Sequence, residues 1–360
     1  MTVRPYNLYA GPAILPGEVM SQVQDELMDI AGTGLSILES SHRGTAYADI
    51  NDSARQDLRD LLGIPDSYAV LFLPGGASLQ FGMVPMNFLR GGKADYVNTG
   101  AWAKKAIKEA KLFGEVHIAG SSEDGNFSYV PALSDLDLSP DARYLHICSN
   151  ETIGGIRWPR FPETGDIPLI ADMSSEICSR KIDVSRFGMI YAGAQKNLGP
   201  AGVTVVIISE KMLKKCPDGL TTMLNYRTHV ENDSNYNTPP VFSVYMVGLV
   251  LKWLKKRGGI EAMEAANNEK AALLYGMIDG TDFYRGTAAA EDRSIMNVTF
   301  RLPTEELEAA FIAEARKAGF VGLKGHRSVG GIRASIYNAF PLEGVEALVH
   351  FMQSFEKKYA

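Results

Sequence analysis

The stretch AVLFLPGGASLQFGMVPMNFL, residues 69–89, changes character at its adjacent glycines, Gly75 and Gly76. Before them, apolar residues run together without polar alternation, which predicts a strand buried on both faces. After them the sequence turns helical. A strand that passes straight into a helix is the repeating step of a sheet covered by helices. Outward from this stretch the step recurs. DYVNTG leads into AWAKKAIKEAKLFG, and EVHIAG, YLHICSN (144–150), PLIADMSS (168–175), MIYAGA (189–194) and GVTVVIIS (202–209) read as further strands. The alternation predicts an α/β fold with a mostly parallel sheet and helices on both faces.

After about Gly258 the pattern changes. A helix near 260–278 is followed by the strand SIMNVTFRL (294–302), the helix TEELEAAFIAEARKAG, the strand GGIRASIYN and a last helix, LEGVEALVHFMQSFEKKY. This predicts a smaller α+β domain. The expected organisation is an N-terminal arm (1–15), a large domain (16–260) and a small domain (261–360), with a ligand cleft between the two domains.

Bulk properties narrow the function classes. The 360 residues are 46% apolar and 22% charged, as in globular chains. A net charge of -6 argues against a general nucleic-acid surface. Cys148, Cys178 and Cys216 form no CxxC pair, an odd set that suits reduced thiols and a cytoplasmic location. The start, MTVRPYNLYAGPAILP, lacks the apolar core of a signal peptide, and the most apolar segment, YMVGLVLKWLKK (245–256), is too short and too basic for a membrane span.

Several residues stand out chemically. Lys196 is the only charge in YAGAQKNLGPAG (191–202), just before a buried strand. A loop lysine reaching water by its stem is the ordinary reading. The sharper one is a desolvated amine that spends time neutral and attacks a carbonyl as a nucleophile. Asp172 ends an apolar run, where open α/β sheets place ligand groups, although turn aspartates are common there too. The glycines of LPGGASLQF (73–81) open a helix whose free N–H groups suit a phosphate, or form a plain turn capped by Ser78. Trp102 in NTGAW could stack on a flat ring or simply pack. SSHRG (40–44) and KGHRSVGGIRAS (324–335) each hold a His-Arg pair flanked by glycine rather than acid, and the second adds Arg333. That composition suits a dianionic ligand.

Taken together, YAGPAILP (9–16), LPGGASLQF, NTGAW, YAGAQKNLGPAG, NYNTPP (235–240) and HRSVGGIRASIYN (326–338) closely resemble the phosphoserine aminotransferases, and the likeness covers essentially the whole chain. These are fold-type I, class V enzymes that depend on pyridoxal 5'-phosphate (PLP). The resemblance implies that Lys196 holds the cofactor as a Schiff base, Asp172 pairs with its ring nitrogen, and Trp102 stacks on its ring. Thr152 would lie at the ring-side oxygen. Gly76, Ala77 and Gln195 would bind its phosphate, joined by Asn237 and Thr238 from a second subunit, so the resemblance implies a homodimer with shared sites. Arg333 would grip the substrate α-carboxylate. His42, Arg43, His326 and Arg327 would receive the distal phosphate or the glutamate side-chain carboxylate. The implied reaction moves the amino group of L-glutamate to 3-phosphohydroxypyruvate in serine biosynthesis, with the phosphorylated 2-oxo acid of the vitamin B6 route as a second acceptor. No metal is implied. This chain departs from some family members in having Ala77-Ser78-Leu79 where they carry an arginine after the glycines.

Other readings remain open at this level. A transaminase of short amino acids needs no second anion site. A cysteine desulfurase needs a cysteine on a mobile loop. A non-catalytic PLP binder would not need Lys196, Asp172 and Arg333 together.

Overall fold

The structure, a computed structural model, describes residues 4–360. Strand β1 (Tyr6–Asn7) and helices α1 (Gly17–Glu26) and α2 (Thr45–Leu62) lead into the main sheet. Next come β2 (Tyr68–Leu73), α3 (Gly76–Phe88), β3 (Lys93–Asn98), α4 (Ala101–Ala110) and β4 (Glu115–Ser121). Strands β5 (Leu145–Cys148), β6 (Asn150–Glu151), β7 (Ile156–Arg157), β8 (Leu169–Asp172), β9 (Met189–Gly193) and β10 (Thr204–Ser209) follow.

Seven of these strands form one sheet in the order β2-β10-β9-β8-β5-β3-β4. Pairing is parallel from β4 through β3, β5 and β8 to β9. Only β10 is reversed, antiparallel to both β9 and β2. The predicted mostly parallel sheet is therefore present with one strand turned round. The carboxyl ends of β2, β3, β5, β8 and β9 consequently share one edge. Sequence order reverses between β3 and β5, because β4 lies on one side and β5, β8 and β9 on the other. Such a switch point leaves a crevice at the carboxyl ends of the strands. Every residue of β5, β8, β9 and β10 is buried, which explains their largely apolar character.

Short helices α5 (Glu210–Leu213) and α6 (Tyr226–Glu231) precede α7 (Val241–Lys256) and α8 (Gly259–Asp279). YMVGLVLKWLKK lies in α7, which is buried almost all round, and no helix among the described residues is long and apolar enough to cross a membrane. The last part of the chain comprises β11 (Arg285–Gly286), β12 (Asn297–Arg301), α9 (Glu305–Lys317), β13 (Phe320–Val321), β14 (Ile332–Ser335) and α10 (Leu342–Tyr359). Strands β11, β12 and β14 form an antiparallel sheet. The N-terminal arm joins this C-terminal part: β1 pairs parallel with β13, and Leu8 and Ile14 enter the same core as Phe300, Phe311 and Phe355.

A buried polar chain ties the two parts together. Asn150 Nδ2 donates to Ser175 Oγ at 2.8 Å and to Asn297 Oδ1 at 2.9 Å. Asn297 Nδ2 donates to Ser335 Oγ at 3.0 Å and Tyr337 Oη at 3.1 Å, and the Tyr337 hydroxyl donates to Ala10 O at 2.8 Å. Asn150 Oδ1 alone in this polar chain has no partner among the described residues, and the bonds that are made favour one arrangement of the elements that carry them.

Candidate active site

A cavity of about 260 Å³ opens at the shared strand edge, lined by residues that follow β5, β8 and β9 and by the first turns of α3 and α4. Lys196 follows β9 and is 9% exposed. Its Nζ donates to Thr152 Oγ1 at 2.6 Å and lies 5.6 Å from the centre of the Trp102 ring. Burial holds its pKa below that of an ordinary lysine. Asp172, Cys148 and Glu151 pull upward without prevailing, and Arg333 adds to the lowering. The lysine isolated in sequence is thus not isolated in space. It has carboxylates nearby, and burial still outweighs them.

Asp172 ends β8 beside Cys148 of β5 and Tyr191 of β9. Its Oδ1 accepts from Ser174 N at 2.9 Å and from Ser174 Oγ at 2.6 Å, and Gly193 N in turn donates to Ser174 Oγ at 3.0 Å. This relay fixes the carboxylate at the cavity. Burial pushes its pKa up, while the Ser174 bonds and Lys196 work the other way.

Helix α3 starts at Gly76 with Gly75 at its N-cap and no side-chain cap, so Ser78 does not cap it. Gly76, Ala77 and Ser78 all line the cavity. Uncapped N–H groups at a helix start, with the dipole behind them, make an anion site. A Cβ added to Gly193 would lie 3.8 Å from Ala77 N, so β9 approaches this turn closely. Gln195 lines the same space. Arg333, on β14, stands outside the cavity lining and meets its rim from the C-terminal part, Nη1 donating to Thr152 O at 3.5 Å. Among the described residues, Trp102 Nε1 and Arg333 Nε are buried without an acceptor.

The family model for class-V aminotransferases matches residues 5–348. The chain belongs to the class-V aminotransferase family. A phosphoserine aminotransferase from Niallia circulans is 55% identical over 359 residues, 99% of each chain. The solved structure of a phosphoserine aminotransferase from Bacillus circulans subsp. alkalophilus superposes with a TM-score of 0.98 at 55% identity, covering 99% of each chain. A PLP-bound phosphoserine aminotransferase from Trichomonas vaginalis, 40% identical, gives 0.93 over 97% of this chain and 100% of that one.

In this class-V aminotransferase, seven of the residues singled out in the sequence do not line the cavity of their own chain: Arg333, which touches it only through Thr152, and His42, Arg43, Asn237, Thr238, His326 and Arg327. His326 and Arg327 sit on the loop before β14, and burial, Arg333, Arg327 and Lys105 together lower the His326 pKa. Asn237 and Thr238 are exposed. Their segment is fixed at its root: Asp233 pairs with Arg55, Ser234 Oγ accepts from Phe72 N at 3.0 Å, and Asn235 Nδ2 donates to His42 O at 3.0 Å. The two outlying segments are therefore tied to each other.

Two features of this class-V site escaped the sequence reading. One is the arm. Gly11 packs so closely that a Cβ there would lie 3.4 Å from Lys196 Cγ, and Ala13 N donates to Gln195 O at 2.8 Å. YAGPAILP contains no chemically active group that could have signalled this cover. The other is Glu151, which stands next to Thr152 in SNETIGG but drew no attention as a loop acid. Cys148 does line the cavity, yet burial pushes its thiol well up and it sits within a strand, unlike a desulfurase nucleophile.

Proposed function

We propose that this protein is a PLP-dependent phosphoserine aminotransferase, moving the amino group of L-glutamate to 3-phosphohydroxypyruvate to give 2-oxoglutarate and O-phospho-L-serine. The observation that carries this reading is the buried amine of Lys196 facing the fixed carboxylate of Asp172 across one cavity at the start of an uncapped helix. These residues fit PLP. Asp172 would hold the ring nitrogen, Trp102 the ring face, Thr152 the ring-side oxygen, and Gly76, Ala77 and Gln195 the phosphate. The orphaned Trp102 Nε1 and Arg333 Nε are donors that a bound anion or ring substituent would satisfy.

When bound, PLP supplies an electron sink for the substrate α-carbon. Everything else falls to the chain. Lys196, whose pKa burial lowers, would take the α-proton and return it on the far side of the transferred nitrogen. Arg333 orients the substrate through a bidentate grip on its α-carboxylate. The carboxylate of Asp172, locked by Ser174, keeps positive charge where it faces the cavity. The cover formed by Gly11 limits water around the Lys196 stem.

His42, Arg43, His326 and Arg327 take the distal anion in this reading, and Asn237 and Thr238 complete the phosphate site of a second subunit in a homodimer. Support comes from their position outside their own cavity, with Arg43, Arg327, Asn237 and Thr238 exposed, and from the hydrogen bond that joins the Asn237 segment to His42. Three free, buried cysteines are in keeping with a reducing, cytoplasmic setting. The four-carbon phosphorylated 2-oxo acid of vitamin B6 synthesis is a second acceptor in the same reading. The test is coupled turnover of purified protein with L-glutamate and each keto acid in turn. The expected result is a kcat/KM for 3-phosphohydroxypyruvate at least 100-fold above that for pyruvate or glyoxylate, on the order of the cost of one lost charged contact. Comparable rates with pyruvate would replace the reading with a short-chain transaminase.

A further inference from the structure

Helix α4 begins without a cap of its own, since Gly100 stands at its N-cap and no side chain there accepts from the first turn. The free N–H groups of a helix start need acceptors. Two of them are met from far along the chain. Ala103 N donates to Glu151 Oε1 at 3.0 Å and Trp102 N donates to Glu151 Oε2 at 3.4 Å. Glu151 is 1% exposed and, among the described residues, makes no ion pair. A buried carboxylate is costly to keep. Burial pushes its pKa up to about 7, against the pull of the two amide bonds and of Lys196. A neutral cap would avoid that cost.

The surroundings are shaped to the carboxylate. A Cβ on Gly100 would stand 2.6 Å from Glu151 Cδ and 2.8 Å from Oε2, so only glycine leaves room for it. The next residue, Thr152, accepts from Lys196 Nζ at 2.6 Å. One dipeptide thus grips the backbone of Trp102 with its first residue and the amine of Lys196 with its second. Between those two groups lies the 5.6 Å from ring centre to Nζ.

We propose that Glu151 is a positioning residue for amino transfer: through the backbone of Trp102 it sets how far the indole stands from Lys196, and with Thr152 it fixes the slot for the cofactor ring. This rests on the reading above that PLP lies against Trp102. Glu151→Ala removes both acceptors. Glu151→Gln keeps one oxygen but turns an amide toward the other N–H.

The experiment uses the full chain loaded with PLP. Borohydride trapping at Lys196, visible circular dichroism in the cofactor band, and kcat and KM for glutamate are compared across wild type, Glu151→Gln and Glu151→Ala. In Glu151→Ala, trapping at Lys196 persists, the dichroic amplitude falls at least twofold, and kcat falls tenfold or more with KM for glutamate within threefold. Glu151→Gln recovers more than half of the lost amplitude and of the lost log kcat. Wild-type amplitude and kcat in Glu151→Ala overturn the proposal. So does a loss of kcat with unchanged dichroism. Should Glu151→Ala not fold, Glu151→Asp decides in its place, because its shorter side chain withdraws the acceptors from Trp102 N and Ala103 N: wild-type amplitude and kcat in that variant reject the role. A wild-type chain that traps no PLP removes the underlying functional reading too, and shows this before any variant is compared.

Discussion

The amine of Lys196 and the hydroxyl of Thr152 meet at 2.6 Å, across the gap between the segments that follow β9 and β6. Lys196 therefore has one defined place in the cavity. Lys196→Ala should lower turnover by at least four orders of magnitude, while PLP binds without covalent attachment. Borohydride reduction followed by peptide mass analysis should find the cofactor on the peptide containing Lys196 in wild type and on none in the variant. Labelling of another lysine would refute the assignment.

Asn237 and Thr238 stand outside their own cavity on a segment rooted by Asp233–Arg55 and tied to His42. If they complete a neighbour's site, two dead chains should rescue one another. Lys196→Ala mixed with an Asn237→Ala/Thr238→Ala double variant should recover up to about a quarter of wild-type activity after subunit exchange, since random pairing leaves one intact site in half of the dimers. Exchange proven by mass tags with no recovery would count against a shared site.

Arg333 and Arg327 should separate by substrate. Removing a buried charged partner costs about 2–5 kcal/mol. Arg333→Lys keeps the charge but loses the fork, so it should slow every donor and acceptor alike. Arg327→Ala should weaken 3-phosphohydroxypyruvate at least 30-fold and leave alanine and pyruvate within threefold. Equal losses for both substrate types would remove the distal-anion role from Arg327.

Glu151 titrates at about 7 in the folded protein, against 4.5 for an ordinary glutamate. Between these values the folded chain keeps a proton that the unfolded chain has lost, so stability falls as pH rises through that window. One pKa unit is worth 1.36 kcal/mol, which makes the loss about 3 kcal/mol once pH exceeds the folded value. Glu151→Gln does not titrate. Its unfolding free energy should gain on wild type by about that amount between pH ~4.5 and ~8, measured by denaturant titration at several pH values. A difference that stays constant with pH would show that the carboxyl is not held in this way.

These particulars mark what the amino-acid string reveals. Strand β8 ending at Asp172 and the desolvation of Lys196 are legible because both follow from local apolar runs. The parallel sheet follows from alternation. The reversal of β10 does not, since a buried strand has the same composition in either direction. Helix α7 hides its period because nearly its whole circumference is buried, leaving only an apolar stretch to read. Glu151 could not be read as a cap because the Ala103 amide it accepts from lies 48 residues away from it. The two His-Arg pairs are legible as anion-binding chemistry but not as a location, and the fold leaves both outside the cavity of their own chain.

The pairing of Tyr6 with Phe320 has a consequence for how the enzyme comes into being. The arm that covers Lys196 is translated well before the strand that holds it. Such distant contacts form late and slowly. A nascent or truncated chain can build the main sheet and expose its lysine to free aldehyde. It cannot close the arm over that lysine until Phe320 and Val321 are in place, so the cover of the cavity and the making of the C-terminal part are coupled by topology.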